Sequence, residues 1–227
     1  MPTRSIHANY TYLSACFPRT VRTIRDVLLP MLLVQVFLYF FSFVAAASPD
    51  LEVYKKMNCS SGGIYPTPTY GVEDGVFTVC ATITIKGTTL QVYNAVIDFK
   101  DYYKWNQFVY AASVPAGVQT PSGVKPGLPV LFNSTGVPPG TNASSTDIVT
   151  YIEPPYLAAW KNVELEQFVG HSEHVQVFVS LRPGLVQYVN YQTQYGANAQ
   201  NILYLEPDFQ HQFELQARDL KAYVERQ

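Results

Sequence analysis

The sequence has few charged residues and few cysteines. Charged residues make up 14% of its 227 residues, and the net charge at pH 7 is −2. No stripe of lysine and arginine is visible, so the chain is a poor candidate for binding nucleic acid, which needs clustered basic residues. The only cysteines are Cys16, Cys59 and Cys80.

Motifs of common catalytic chemistry are also missing. There is no Gly-x-Ser-x-Gly, no glycine loop that would cradle a phosphate, and no nucleophile beside a recognisable base. The segment His171-Ser172-Glu173-His174 brings two histidines and a carboxylate together. On an extended segment these histidines point to opposite faces, and zinc needs a further ligand from elsewhere. We therefore expect a solvated turn there, and predict no metal and no cofactor.

One long apolar run lies near the N-terminus, at residues 27–47, and it ends in the small residues Ala45–Ala47. Arginines before it, an apolar core and a small-residue end are typical of a secretory signal peptide. About 20 apolar residues can also span a bilayer uncleaved, with the arginine-rich side in the cytoplasm. We predict that residues 1–47 are a signal peptide or a signal anchor, a buried helix being the remaining alternative.

Both export interpretations place the rest of the chain outside the cytoplasm. The protein is then secreted or lumenal, or else a single-pass membrane protein with a lumenal domain. Asn58, Asn133 and Asn142 each begin an N-x-Ser/Thr sequon, and behind a signal sequence each is a candidate glycosylation site.

Cys59 and Cys80 are the only cysteines left once the leader is removed. In an oxidising compartment two cysteines most simply form one disulfide. Closing a loop of about 20 residues would stabilise the fold by about 3 kcal/mol. The alternative is a pair of unrelated buried thiols.

The remaining 180 or so residues are enough for one domain. Glycine and proline interrupt residues 48–75, which predicts an irregular N-terminal extension. Residues 76–85 alternate between apolar and polar and are rich in β-branched types, so they predict a strand. Two short helices follow, the first capped by Thr88 or Thr89 and the second over Asp101–Asn106.

Strands and turns dominate the middle of the chain, and a long amphipathic helix ends it. Residues 116–127 and 134–147 are predicted to be loops, because they are rich in proline and glycine. Phe209, Phe213, Ala217, Leu220 and Val224 recur at helical spacing in the final helix. The predicted strands are Phe108–Val114, Leu128–Asn133, Ile148–Ile152, Leu157–Val163, Val175–Leu181 and Leu185–Tyr195.

Two segments of this pattern resemble the START-like superfamily, also called SRPBCC. Val92–Phe99 followed by Tyr102–Phe108 is similar to that family's helix-Asp-Phe-x-x-Tyr-x-x-Trp-Asn-x-Phe signature, and Ile152–Trp160 is similar to its strand-turn-strand with Glu-Pro-Pro. Members include polyketide cyclase-like, coenzyme Q-binding and pollen-allergen-type proteins. The resemblance covers residues 76–227, and the leader and sequons resemble secreted members common in filamentous fungi.

The resemblance implies an α+β helix-grip fold. In this fold a curved antiparallel sheet wraps around the long C-terminal helix and encloses a cavity for an apolar molecule. The face of the last strand that joins apolar area to hydroxyl groups is expected to form one wall, and the helix the other. An alternative is a packed core in which the backbone satisfies these hydroxyls. The predicted ligand-binding residues are Val189, Tyr191, Thr193 and Tyr195 on the strand, with Phe213 and Leu220 on the helix.

The function predicted from this resemblance is binding of a hydrophobic small molecule, such as a polyketide, terpenoid, sterol or other lipid-like compound. One alternative is a cofactor-free cyclase or isomerase that orients a reactive polyketide or terpenoid in the same cavity. Another is a surface interaction protein that acts through its glycosylated loops. An inward-facing histidine or carboxylate would favour the enzyme. A membrane is an expected partner only if the N-terminal run is retained as an anchor.

Overall fold

Seven strands form one curved sheet in the computed structural model of the protein, which describes residues 49–59 and 62–227. The strands are β1 (Gly75–Lys86), β2 (Ala111–Ser113), β3 (Pro129–Thr135), β4 (Asn142–Glu153), β5 (Leu157–Asn162), β6 (His171–Arg182) and β7 (Leu185–Tyr195). Their order across the sheet is β1-β7-β6-β5-β4-β3-β2, and every pair of neighbours is antiparallel.

Four α-helices accompany the sheet in the described part of the chain: α1 (Leu51–Lys55), α2 (Thr89–Ile97), α3 (Glu166–Val169) and α4 (Glu206–Val224). Two 3-10 helices, Phe99–Lys104 and Ala197–Leu205, precede β2 and α4. At the start of α2, Thr88 and Gln91 form a capping box, which satisfies two backbone N–H groups that the helix cannot. The α+β class predicted from the sequence is confirmed.

The concave face of the sheet packs on α4 and α2. Phe213, Ala217 and Leu220 of α4 are buried there, together with Phe178 of β6 and Tyr188 of β7. This packing forms the larger of two hydrophobic cores. The long helix therefore lies inside the curve of the sheet, as the helix-grip prediction requires.

The convex face of the sheet is also buried, because the N-terminal extension covers it. Tyr54 of α1 and Tyr65 pack against Val175, Val189 and Tyr191 in a second hydrophobic core. Cys59 and Cys80 form the predicted disulfide, with an S–S distance of 2.05 Å and a Cα–Cα distance of 5.4 Å. This bond ties the extension to β1, a strand at the edge of the sheet.

The predicted orientation of β7 is wrong. Val189, Tyr191, Thr193 and Tyr195 lie on the convex face, so they do not face Phe213 and Leu220. The three hydroxyl groups among them donate to the backbone of the extension. Tyr191 Oη donates to Pro66 O at 2.5 Å. Thr193 Oγ1 donates to Tyr65 O at 2.9 Å, and Tyr195 Oη donates to Gly71 O at 2.8 Å. The observed arrangement is the alternative in which the backbone satisfies the hydroxyls.

The reason for this error is that both faces of β7 are buried. An alternating pattern identifies the inward face only when the other face meets water. Here the extension replaces water on the convex face, and it also contains α1, which the sequence did not predict.

Two strand starts were also predicted incorrectly. Residues 142–147 belong to β4 rather than to a loop, and residues 171–174 begin β6 rather than forming a turn. These segments consist mostly of polar residues, so no apolar alternation marks them. They are held in the sheet by pairing with β3 and β7, as in Asn142 with Thr135 and His171 with Tyr195.

The predicted leader, residues 1–47, lies outside the described residues. Within the part of the chain that the structure describes, no helix has both the length and the apolar character needed to cross a bilayer.

Tyr191→Phe tests the role of the convex face. This variant should lower the free energy of unfolding by about 1–3 kcal/mol, because it leaves Pro66 O without its hydrogen bond. It should not change the affinity for a ligand bound on the concave side. Tyr103→Phe is the matched control, because the Tyr103 side chain is 68% exposed. Loss of its hydroxyl group should change the free energy of unfolding by less than about 0.5 kcal/mol. Urea unfolding measures both, and equal effects would contradict the assignment.

Candidate ligand cavity

A cavity of about 220 Å³ opens on the concave face, between the sheet and the start of α4. For comparison, an engineered cavity of about 150 Å³ holds a benzene molecule. One group of wall residues is aromatic: Phe108, Phe132, Trp160 and Phe209. A second group is aliphatic and comes mainly from α3, the 3-10 helix before α4, and the loops: Val137, Leu165, Val169, Ile202 and Leu205.

A row of four polar side chains crosses the floor of this cavity: Asp147, Asn162, Ser172 and Gln194. The register of the strands creates the row. Asp147 of β4 pairs with Asn162 of β5, and Ser172 of β6 pairs with Gln194 of β7. We call these four residues the polar row. The cavity is therefore amphipathic, with aromatic walls and a polar floor.

Asp147 is the carboxylate of the polar row. Its Oδ1 accepts hydrogen bonds from Asn162 Nδ2 at 3.0 Å and, weakly, from Ser145 Oγ at 3.5 Å. Burial raises the pKa of this carboxyl to about 7. The two hydrogen bonds act to lower this pKa, and the nearby Glu164 carboxylate acts to raise it. The side chain keeps some exposure to the cavity, so cavity water would offset part of the cost of its charge. Asp147 can therefore exchange a proton near neutral pH.

His174 lies in the next row of the sheet, paired with Trp160 and Gln192. Its ring is packed between Trp160, at 5.1 Å between centroids, and Phe213, at 4.6 Å. Burial lowers the pKa of the imidazole to about 4, while the hydrogen bond to Asn190 opposes the shift. His174 is therefore neutral at physiological pH.

Buried side chains hold the His174 ring in place. His174 Nε2 is hydrogen-bonded to Asn190 Oδ1, and Asn190 Nδ2 donates to Gln216 Oε1 of α4 at 2.9 Å. Gln176 Nε2 lies 2.6 Å from His174 Nε2. No described residue hydrogen-bonds to His174 Nδ1.

Gln194 is the least satisfied member of the polar row. Its side chain is 2% exposed, and its Oε1 atom has no hydrogen-bond partner among the described residues. A buried acceptor without a partner costs about 1–3 kcal/mol. A donor group on a bound molecule would remove this cost.

None of the six ligand-binding residues predicted from the sequence borders this cavity. Phe213 and Leu220 fill the core beside it, and the four β7 residues lie on the opposite face of the sheet. Sequence reasoning missed Asp147, His174 and Gln194. For His174 and Gln194 the available signal was the recurrence of polar residues at alternate positions of β6 and β7, since buried polar side chains are unusual. The mostly polar segment that contains Asp147 gave no such signal.

Solved structures share this architecture at low sequence identity. The Zhui aromatase/cyclase from a Streptomyces species has a TM-score of 0.53 and 15% identity, over 66% of this chain and 93% of its own. A hypothetical protein from Helicobacter pylori has a TM-score of 0.55 and 16% identity, over 74% and 97%. A START superfamily protein from Mycobacterium smegmatis has a TM-score of 0.50 and 14% identity, over 66% and 97%.

At such identities the similarity establishes the fold alone. The chain has the helix-grip fold of START-like proteins, as its resemblance to them implied. No family model matches the sequence, and no curated protein matches it.

Asp147 and His174 should change the free energy of unfolding in opposite directions as the pH rises. Between about pH 4 and 7 the folded state keeps a proton on Asp147 that the unfolded state loses, so this group makes stability fall as pH rises. Between about pH 4 and 6.5 the unfolded state keeps a proton on His174 that the folded state lacks, so this group makes stability rise. Each contributes at most about 1.4 kcal/mol per pH unit.

In Asp147→Asn the free energy of unfolding should therefore rise from pH 4.5 to 6.5. In His174→Gln it should fall over the same range. His174→Gln also disturbs the buried network, which lowers stability at both pH values without producing this slope. Urea unfolding at several pH values measures the slopes. Two slopes of the same sign would contradict the assignment of the shifted pKa values.

Proposed function

We propose that the domain binds a small, largely apolar molecule in the cavity, without covalent chemistry. The observation that carries the proposal is the combination of aromatic walls with a polar floor that holds a buried, unpartnered acceptor at Gln194. Ligand pockets are commonly apolar clefts with a few well-placed polar groups of this kind. The START superfamily protein of similar fold supports the same conclusion at the level of fold.

The size of the cavity supports a ligand of about two rings. At 220 Å³ the cavity is larger than one that fits benzene, but it is smaller than the range of about 300–1,000 Å³ typical of pockets for drug-sized ligands. A compact polyketide or terpenoid therefore fits better than a sterol or a long-chain lipid.

A cyclase or isomerase is the second candidate, and Asp147 and His174 favour it. Both line the cavity, and an inward carboxylate or histidine is what acid–base chemistry on a bound molecule would need. A carboxyl with a pKa of about 7 can take up and return a proton at neutral pH. The aromatase/cyclase with a similar fold adds support by analogy of fold. Exchange of carbon-bound hydrogen in heavy water, lost in Asp147→Asn, would establish this activity for a ligand that the protein retains.

Export of the domain is part of the proposal. The apolar N-terminal run supports it, and the Cys59–Cys80 disulfide is compatible with an oxidising compartment. Asn142 is exposed at the first residue of β4. Asn133 is less available, because its Oδ1 accepts a hydrogen bond from Ser144 Oγ at 2.5 Å. The likeness to secreted fungal members stays a prediction.

Processing of the exported chain can be checked directly. We expect a mature N-terminus near Ser48 and a glycan on Asn142, with less occupancy at Asn133 and Asn58. N-terminal sequencing and glycopeptide mapping of the protein from the cells that produce it measure both. A membrane-bound product that begins before residue 27 would indicate the anchored alternative. An unglycosylated cytosolic protein with Met1 intact would contradict export.

A pair of tryptophan variants tests binding in the cavity. Val169 lines the cavity, whereas its neighbour Phe168 is 63% exposed and does not. Val169→Trp should fill part of the space and weaken binding of 1-naphthalenemethanol by about tenfold or more, a cost of at least about 1.4 kcal/mol. Phe168→Trp introduces the same residue one position away and should bind like the wild type. Calorimetric titration measures both affinities. Equal affinities, or no binding by the wild type, would contradict the proposal.

A further inference from the structure

We propose that the ligand of this cavity carries a protonated amine, and that the Asp147 carboxylate is its counter-ion. The inference rests on the proposed binding function and narrows the ligand class to a small ring-bearing amine. Three independent observations support it: the charges at the cavity, the aromatic rings beside Asp147, and the acceptor atoms that have no partner.

The first observation is that the described residues around the cavity include a carboxylate but no cation. None of the described lysines or arginines lines it, and His174 is neutral. The ion pairs among the described residues lie elsewhere, and none includes Asp147. The only other charged group that acts on Asp147 is Glu164, which is also a carboxylate. Burial makes the ionised form of this carboxyl costly unless a partner is present, and a cationic ligand would supply that partner.

The second observation is the position of two aromatic rings on either side of Asp147. Phe132 pairs with Ser145, and Trp160 pairs with Val149, the residues two before and two after Asp147 on the same face of β4. Diagonal neighbours on one face of a sheet are close enough for aromatic side chains to reach. The two ring centroids are 5.9 Å apart. Aromatic faces attract cations but give no such attraction to a neutral alcohol.

The third observation is that two acceptor atoms at the cavity lack partners. Gln194 Oε1 is buried and unpartnered, and Asp147 Oδ2 receives no hydrogen bond from the described residues. An ammonium group has donors and no acceptor, so it complements these two atoms. A carboxylate ligand would meet two acceptors and a negative charge. A neutral hydroxyl group would satisfy Gln194 and leave the charge of Asp147 without a partner.

The proton equilibrium of Asp147 agrees with this assignment. Burial raises its pKa to about 7, so the carboxyl of the free protein is partly protonated at neutral pH. A bound cation favours the ionised form and lowers that pKa. Binding of an amine near pH 7 should therefore release a proton from the protein.

Four naphthalene derivatives of nearly equal size test the proposal by calorimetric titration at pH 7.5: 1-naphthylmethylamine, 1-naphthalenemethanol, 1-methylnaphthalene and 1-naphthoate. We expect the amine to bind at least about tenfold more tightly than the alcohol, as a charge-assisted hydrogen bond predicts, and the carboxylate to bind least. Asp147→Asn should weaken the amine about tenfold or more and the alcohol less than about threefold. Glu164→Gln removes a carboxylate that does not line the cavity, and it should change neither affinity by more than about threefold.

Titrations of the wild-type protein in buffers of different ionisation enthalpy provide a second readout that needs no variant. Amine binding near pH 7 should release a measurable fraction of a proton, and alcohol binding none. Equal affinity for amine and alcohol, equal weakening of both by Asp147→Asn, or no proton release would overturn the proposed amine and leave the binding function in place. If none of the four compounds binds, the binding function fails, and the amine proposal fails with it.

Discussion

Burial of both faces of one sheet is the constraint on which the rest of this structure depends. The helix α4 covers the concave face, and the N-terminal extension covers the convex face. Tyrosine and threonine hydroxyls of β7 donate to backbone carbonyls of the extension, while the Cys59–Cys80 disulfide ties it to β1. The extension therefore takes the place of water on the convex side, and β7 is buried on both faces.

The concave face carries polar side chains although this constraint favours apolar ones. A face covered by a helix is most stable when it is apolar, since buried polar groups cost free energy unless every one has a partner. Hydrogen bonds link His174 to Asn190 and Asn190 to Gln216, but Gln194 Oε1 has no partner among the described residues and none of the described ion pairs includes Asp147. Packing alone gives no reason for such groups at the floor of a cavity, and this supports the proposed binding of a small molecule.

The two proposed functions, binding and catalysis, rely on the same groups and differ in whether a proton is transferred to or from the ligand. A carboxylate with a pKa near neutrality holds a cation by ionising, or moves a proton by cycling between its two forms. His174, neutral and hydrogen-bonded to Asn190, is a second polar side chain at the cavity under both proposals. The size and aromatic character of the walls favour a compact ring-bearing molecule under both, so proton transfer to or from that molecule would distinguish the two.

The sequence by itself determined the type and order of most elements, because helix and strand periodicity, capping at Thr88 and turn residues are local signals. It also predicted the Cys59–Cys80 disulfide that the structure contains, and its resemblance to START-like proteins implied the helix-grip fold. Only the tertiary structure decided which face of β7 lines the cavity, because alternation cannot rank two buried faces. It alone created the polar row, because Asp147, Asn162, Ser172 and Gln194 belong to four different strands, and the register of those strands is a long-range property that no local pattern carries.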